Sequence, residues 1–198
     1  MPRRIDIDGR REQLAEAVWR TVRERGMSAV SVRTVAAAAD VAVGSLRHVF
    51  PTRAELLLFS AELTVRRATE RVRATPVTGD PLTDASAVLA HMLPLTPDSR
   101  AELDVNIALV AEAPALPELA PIRDHAYREL GRLCTAVVES LAGPLPADVL
   151  DRETRRLHAL VDGLALHLLM EPADDDPAWA LDALRAEVER LAGLVARG

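Results

Sequence analysis

Residues 31–50 read SVRTVAAAADVAVGSLRHVF, two short helical stretches broken by one turn. Ser31 is a natural N-cap, because its hydroxyl can accept an N–H that the first helical turn leaves without a partner. Behind it Val32, Val35 and Ala36 recur at helical spacing, which predicts a helix over 31–39 with an apolar inner face. A second helix is expected over 43–50, burying Leu46 and Phe50. Helices this short can cross steeply only where a small residue sits at the crossing, the place that Ala36 takes. Asp40 stands in the turn, where the backbone has to go left-handed, and Asp is among the few non-glycine residues that tolerate it. The outward residues Val43, Gly44, Ser45, Arg47 and His48 are then free to enter a DNA major groove. Taken alone, the segment reads equally well as an ordinary helix pair.

Prolines and glycines punctuate the rest into helices, and no stretch reads as a strand, a repeat or a low-complexity tract. A first helix is expected over 9–25, burying Leu14, Ala17, Val18, Thr21 and Val22 and ending at Gly26. Thr52 with Glu55 forms a capping box for a fourth helix, running to about Thr75 and carrying Leu56, Phe59 and Leu63. Asp80-Pro81 opens a fifth to about Leu93, and Thr96-Pro97 a sixth to about Glu112, each a capping residue with proline behind it. Pro114, Pro117 and Pro121 leave the start of the seventh open, and it continues to Leu141. The eighth is expected over 148–170, and a ninth follows Asp176-Pro177 nearly to the end. About nine helices make an all-α fold: a three-helix module at 1–51 and a larger helical body at 52–198.

The charge is lopsided. Residues 1–73 hold 14 Arg against 9 acidic residues, a net +5, whereas residues 74–198 hold 10 against 21, a net −11. The two ends therefore face different partners, or at least different surroundings. All 24 basic residues are Arg, a composition that suits phosphate and guanine contacts but that codon bias explains as well. Aromatics number five: Trp19, Phe50, Phe59, Tyr127 and Trp179. A single cysteine, Cys134, permits no internal disulfide and no Cys-rich zinc site. With no apolar run of the ~18 residues that a membrane helix needs, the expected setting is the cytoplasm, with no membrane partner.

Residues 11–57 resemble the N-terminal module of the TetR/AcrR family of transcriptional regulators. The likeness rests on a first helix closed by a Gly, a Ser-led second helix, an Ala-rich turn, and the run GSLRHVFPTRAELL at 44–57. Residues 157–169, LHALVDGLALHLL, resemble more locally the eighth helix of members with a betaine-regulator-like C-terminal domain. The resemblance implies a DNA-binding, ligand-responsive regulator, a repressor released from its operator by a small molecule. It places Ser31, Arg33 and Thr34 near DNA phosphates, Val43, Gly44 and Ser45 at bases, and Arg47, His48 and Arg53 at backbone phosphates. Three positions depart from the family: Arg47 stands where Tyr is usual, Ala42 where a capping Ser is, and Asp40 where Gly is. The missing Ser cap costs the third helix about 1 kcal/mol. A basic arm at Arg3-Arg4 could reach a minor groove or remain a solvated tail.

In the acidic body, Leu181, Leu184, Val188, Leu191 and Val195 recur at near-heptad steps, as do Leu157, Val161, Leu164 and Leu168 after Leu150. Such seams fit a four-helix bundle between two subunits or a core stripe within one, and a reader of paired half-sites tilts the choice to a homodimer. His91, Asn106, Tyr127, Cys134 and His167 lie on or beside apolar faces as candidate contacts for a small-molecule effector, or as satisfied core residues. Gly163, next to Asp162, is expected to let a neighbouring helix come close. No metal-ligand spacing, cofactor motif, nucleophile with a base or paired carboxylates stand out, so no cofactor and no enzymatic activity are expected. The other reading left open is a dimeric ligand-binding protein whose DNA module is vestigial, given Asp40 and Ala42. Helix four is expected to carry the effector's signal to the reader.

Overall fold

A computed structural model describes residues 7–194, with the side chains of 7–11 and of Met27 outside the description. The Arg3-Arg4 arm and Val195 therefore lie outside the described residues. Among these residues the fold is all-α, with no strand. Its α-helices are α1 (Ile7–Arg25), α2 (Val32–Ala38), α3 (Val43–Val49), α4 (Arg53–Ala74), α5 (Pro81–Ala90), α6 (Pro97–Glu112), α7 (Ala120–Ala142), α8 (Ala147–Met170) and α9 (Ala178–Ala192).

The punctuation works through the capping chemistry. Asp80 accepts the Thr83 N–H at 3.0 Å, and Thr96 and Ser99 cap each other's N–H groups at 3.1 and 2.9 Å. The start of α7, open in the sequence, falls at Ala120, so Pro121 sits in the first turn, where its missing N–H costs nothing. Pro117 opens a separate single turn of 3-10 helix, Pro117–Leu119. Helix α5 stops at Ala90, three residues short of expectation, because the backbone tightens into turns in which Met92 and Leu93 donate to Leu89 and Ala90.

The described chain forms two compact units. The first joins residues up to 66 with residues 100–124, and the second joins 67–99 with 125 onward. In the first, Leu14, Val18 and Val22 of α1, Val35 and Ala36 of α2, Leu46 and Phe50, and Leu56, Leu57 and Ala61 of α4 share one core. Ala101, Val105, Leu109 and Ala113, on or just past α6, belong to the same core. Helix α4 is thus not the only element of the body that touches the N-terminal module.

In the second unit α9 packs on α5 and α8. Leu157, Val161, Leu164 and Leu168 of α8 and Leu184, Val188 and Leu191 of α9 are all buried within the single chain, with Leu181 half-buried. These side chains are buried by the subunit's own core, as in the core-stripe alternative for the two seams. Periodicity marks a buried stripe without saying whose chain buries it. A polar lock closes the same helix pair: Arg190 reaches Glu153 at 2.6 Å and Glu187 at 2.7 Å, and Arg156 reaches Glu187 at 3.2 Å. Burial pushes the Glu153 carboxyl up, but the hydrogen bond and charge of Arg190, joined by Arg152, outweigh it and hold the group below its usual range. Among the described residues no single helix is long and apolar enough to cross a membrane.

Candidate nucleic-acid interface and effector contacts

The helix pair at 31–50 is built by local hydrogen bonding. Ser31 and Thr34 form a reciprocal capping box, Thr34 N–H to Ser31 Oγ at 3.2 Å and Ser31 N–H to Thr34 Oγ1 at 2.9 Å, and Thr34 Oγ1 also donates to the Ala29 carbonyl. Both hydroxyls, expected at phosphates, thus have a structural duty. At the other end of α2 the Val41 N–H returns to Ala36 O at 3.0 Å and the Asp40 N–H to Ala37 O at 3.2 Å. This is a Schellman closure, whose following residue must be left-handed. Asp40 is that residue, at φ 53°. Arg20 of α1 donates to the Ala38 carbonyl and ties α1 to the same end.

Beyond the turn, α3 starts at an Ala42 that makes no side-chain cap. Leu46 and Phe50 anchor it in the core, and the Phe50 ring lies 5.4 Å from that of Phe59. Val43, Gly44, Arg47 and His48 face solvent and Ser45 is half-buried, while Arg33 projects from α2. The exposed surface is thus small at the start of α3 and cationic further along, which fits close approach to base edges flanked by phosphate contacts.

Arg53, expected at a backbone phosphate, has partners within the chain. Its guanidinium is taken up inside the unit, with Nε donating to the Val30 carbonyl at 3.0 Å and the two terminal nitrogens gripping the carboxylate of Glu112, Nη2 to Oε1 at 2.9 Å. Its expected phosphate contact has to compete with a two-pronged ion pair. The partner lies 59 residues away, beyond the reach of local sequence patterns.

The five side chains expected at the effector do not form one cluster. Asn106 belongs to the first unit, half-buried on α6, with its side-chain oxygen buried and lacking a hydrogen-bond partner among the described residues. The other four are in the second. His91 Nε2 lies 2.9 Å from the Thr75 hydroxyl, and burial, then the nearby Arg71, lower its pKa. Cys134 is fully buried, its thiol pushed up to about 12 by burial and then by Asp162. His167 is on the outside, edge-on to Trp179 at 6.5 Å. Tyr127 is 65% exposed and its ring lies 4.6 Å from that of His158.

His158 is the functional candidate that sequence reasoning missed. It is buried, its Nε2 lacks a hydrogen-bond partner among the described residues, and an Asp162 oxygen lies 3.5 Å from that nitrogen. Burial raises the Asp162 pKa, against the pull of His158. The signal was present, since His158 falls one turn before Val161 on the inner stripe. Among the described residues nothing beyond its own helix lies within 4 Å of where a Cβ on Gly163 would stand, so the close neighbour expected there is not found among them.

Two family models match the chain: residues 14–58 match the bacterial regulatory proteins of the tetR family, and residues 81–193 match the C-terminal domain of BetI-type transcriptional repressors. The HTH-type transcriptional regulator PksA of Bacillus subtilis is 36% identical over 174 residues, 87% of this chain and 84% of that protein. A transcriptional regulator from Rhodococcus sp. Rha1 superposes with a TM-score of 0.79 at 29% identity, covering 91% of this chain and 95% of its own. A further regulator of the same fold, from Saccharomonospora viridis and solved in complex with choline, has a TM-score of 0.78 at 22% identity, covering 92% and 96%.

Proposed function

The chain belongs to the TetR family of bacterial regulatory proteins, and from that premise we propose that it is a cytoplasmic homodimer that represses transcription until a small molecule releases it from its operator. The observation that carries the reading is the outward face of α3, with Val43, Gly44, Arg47 and His48 exposed on a helix anchored by Leu46 and Phe50. Residues 1–51 serve as the reader, with Val43 to Ser45 toward bases and Arg33, Arg47 and His48 toward phosphates. Residues 52–198 serve effector binding and dimerisation.

With the inner stripes of α8 and α9 spent on the subunit core, the second copy takes the outer face of α8. There Ala159, Gly163, Leu166 and Met170 follow one another at steps of three and four. Leu166 is 46% and Met170 76% exposed, and the open space over Gly163 leaves room for a partner helix. Two candidates remain for effector contact, the unpaired oxygen of Asn106 and, separately, the Tyr127–His158 ring pair beside Asp162. The sealed Cys134 thiol and the outward His167 are weaker ones. Choline in a protein of like fold supports a small organic effector without identifying it. To clear an operator from nearly full to nearly empty, the effector needs about 5.5 kcal/mol of preference for the released state.

The test is selection of binding sites from a random-sequence duplex pool. The expected product is a palindrome whose half-sites lie about one helical turn, roughly 34 Å, apart or a multiple of it, bound in a strongly salt-dependent manner. A chain that selects no duplex would leave a dimeric ligand-binding protein with a vestigial module as the better reading.

A further inference from the structure

We propose that the Arg53–Glu112 ion pair is a strut holding the recognition helix in its DNA-ready position, which makes Glu112, an acidic residue, a positioning residue for operator binding. The inference rests on the DNA-binding reading above and adds to it a residue outside the helix pair at 31–50.

One guanidinium touches three pieces of the first unit. Arg53 is the first residue of α4, directly behind the recognition helix, and Glu112 is the last residue of α6. Val30, whose carbonyl accepts from Arg53 Nε, immediately precedes the Ser31 cap of α2. The planar fork fixes direction as well as distance, because both terminal nitrogens meet the two oxygens of one carboxylate while Nε is held at right spacing to the loop before α2. The far side of the strut is firm: Ala101, Val105 and Leu109 set α6 in the same core as Leu46 and Phe50.

Helix α3 needs such support. It has seven residues and no side-chain cap at Ala42, and a helix so short does not hold its own orientation. With Arg53 and Glu112 only 35% and 28% exposed, the pair is partly sheltered from the screening that weakens surface ion pairs. The strut also ties α6, which carries Asn106, to the first residue of α4.

A strut and a phosphate contact predict opposite signs. If Arg53 served phosphate, Glu112 would be its competitor, and Glu112→Gln would tighten DNA binding by freeing the guanidinium and removing a negative charge. If the pair is a strut, Glu112→Gln weakens binding. The probe is a labelled duplex selected by the unaltered chain from a random-sequence pool, titrated by fluorescence anisotropy over a range of salt, with circular dichroism confirming that each variant is folded. Glu112→Gln and Arg53→Ala should each weaken binding about tenfold with the salt slope unchanged, and the double variant should be no worse than either single one, as coupled partners require. Arg53→Lys keeps the charge but loses the fork, and should weaken binding nearly as much. Tighter binding by Glu112→Gln, additive losses in the double variant, or a salt slope lowered by about one unit in Arg53→Ala would each overturn the strut while leaving DNA binding intact. Failure of the unaltered chain to select any duplex would instead overturn the DNA-binding reading on which the strut rests.

Discussion

Substituting Leu166 by Glu separates the two faces of α8. The side chain is 46% exposed in the single chain, so a carboxylate there stays in water when the subunit is alone. Its effect on subunit stability should fall within about 0.5 kcal/mol, as for other surface changes. In a two-fold dimer each interface holds the substitution twice. Two carboxylates desolvated without partners cost several kcal/mol between them, so about 4 to 6 kcal/mol is a fair figure, and the dimer dissociation constant rises by roughly three to four powers of ten. Val188→Asp makes the contrast. That side chain is fully buried in the subunit itself, and an unpaired charge there consumes several of the ~5–15 kcal/mol that hold a domain folded. Analytical ultracentrifugation with circular dichroism reads both: Leu166→Glu should give folded monomers that have lost operator binding, and Val188→Asp should give unfolded or aggregated chain. A Leu166→Glu variant that sediments as an unaltered dimer would refute the outer face of α8 as the interface. A folded, monomeric Val188→Asp would restore the seam to the subunit boundary.

Three further outcomes can be checked. Arg47→Ala, at an exposed position on α3, should weaken binding to all duplexes and lower the salt slope by about one unit, with base preference unchanged in a competition assay. Asp40→Gly relieves a left-handed residue at φ 53° and Ala42→Ser supplies the absent cap, so each should stabilise the chain by up to about 1 kcal/mol in urea denaturation, whereas Asp40→Val should destabilise it by more than that. Glu153 has its folded pKa lowered, so its contribution is fully present above the ordinary glutamate value of 4.5 and is lost as pH falls through the lower folded value; Glu153→Gln should flatten the acid limb of a stability-against-pH profile.

The fold was legible wherever a residue's role is local. Ser31 as a cap and Asp40 as a left-handed turn follow from hydrogen-bond supply and sterics within a few residues, and both stand where the sequence puts them, with Ala36 buried as expected. The start of α7 was not legible, because three prolines offered equivalent openings and tertiary packing chose among them. Long-range chemistry was hidden. Nothing near Arg53 announces Glu112, so its local setting pointed to phosphate. The Leu184–Val188–Leu191 stripe fits a seam between subunits as well as a core within one, because periodicity gives a buried face no owner. The place of His158 on the α8 stripe marks it as inside, but its burial beside Tyr127 and Asp162 appears only once the helices are packed.

Cys134 has a practical consequence for measurement. With its side chain fully buried and its thiol pushed up to about 12, the only cysteine of the chain is almost entirely un-ionised at neutral pH and out of reach of maleimides. The protein is therefore a ready-made background for labelling without first deleting a native thiol. A single Glu24→Cys change, at an exposed site on α1, would place one dye on each subunit's reading module. Energy transfer between the two dyes then becomes a ruler for the spacing of the modules, read in solution with DNA, with candidate effectors, or with neither.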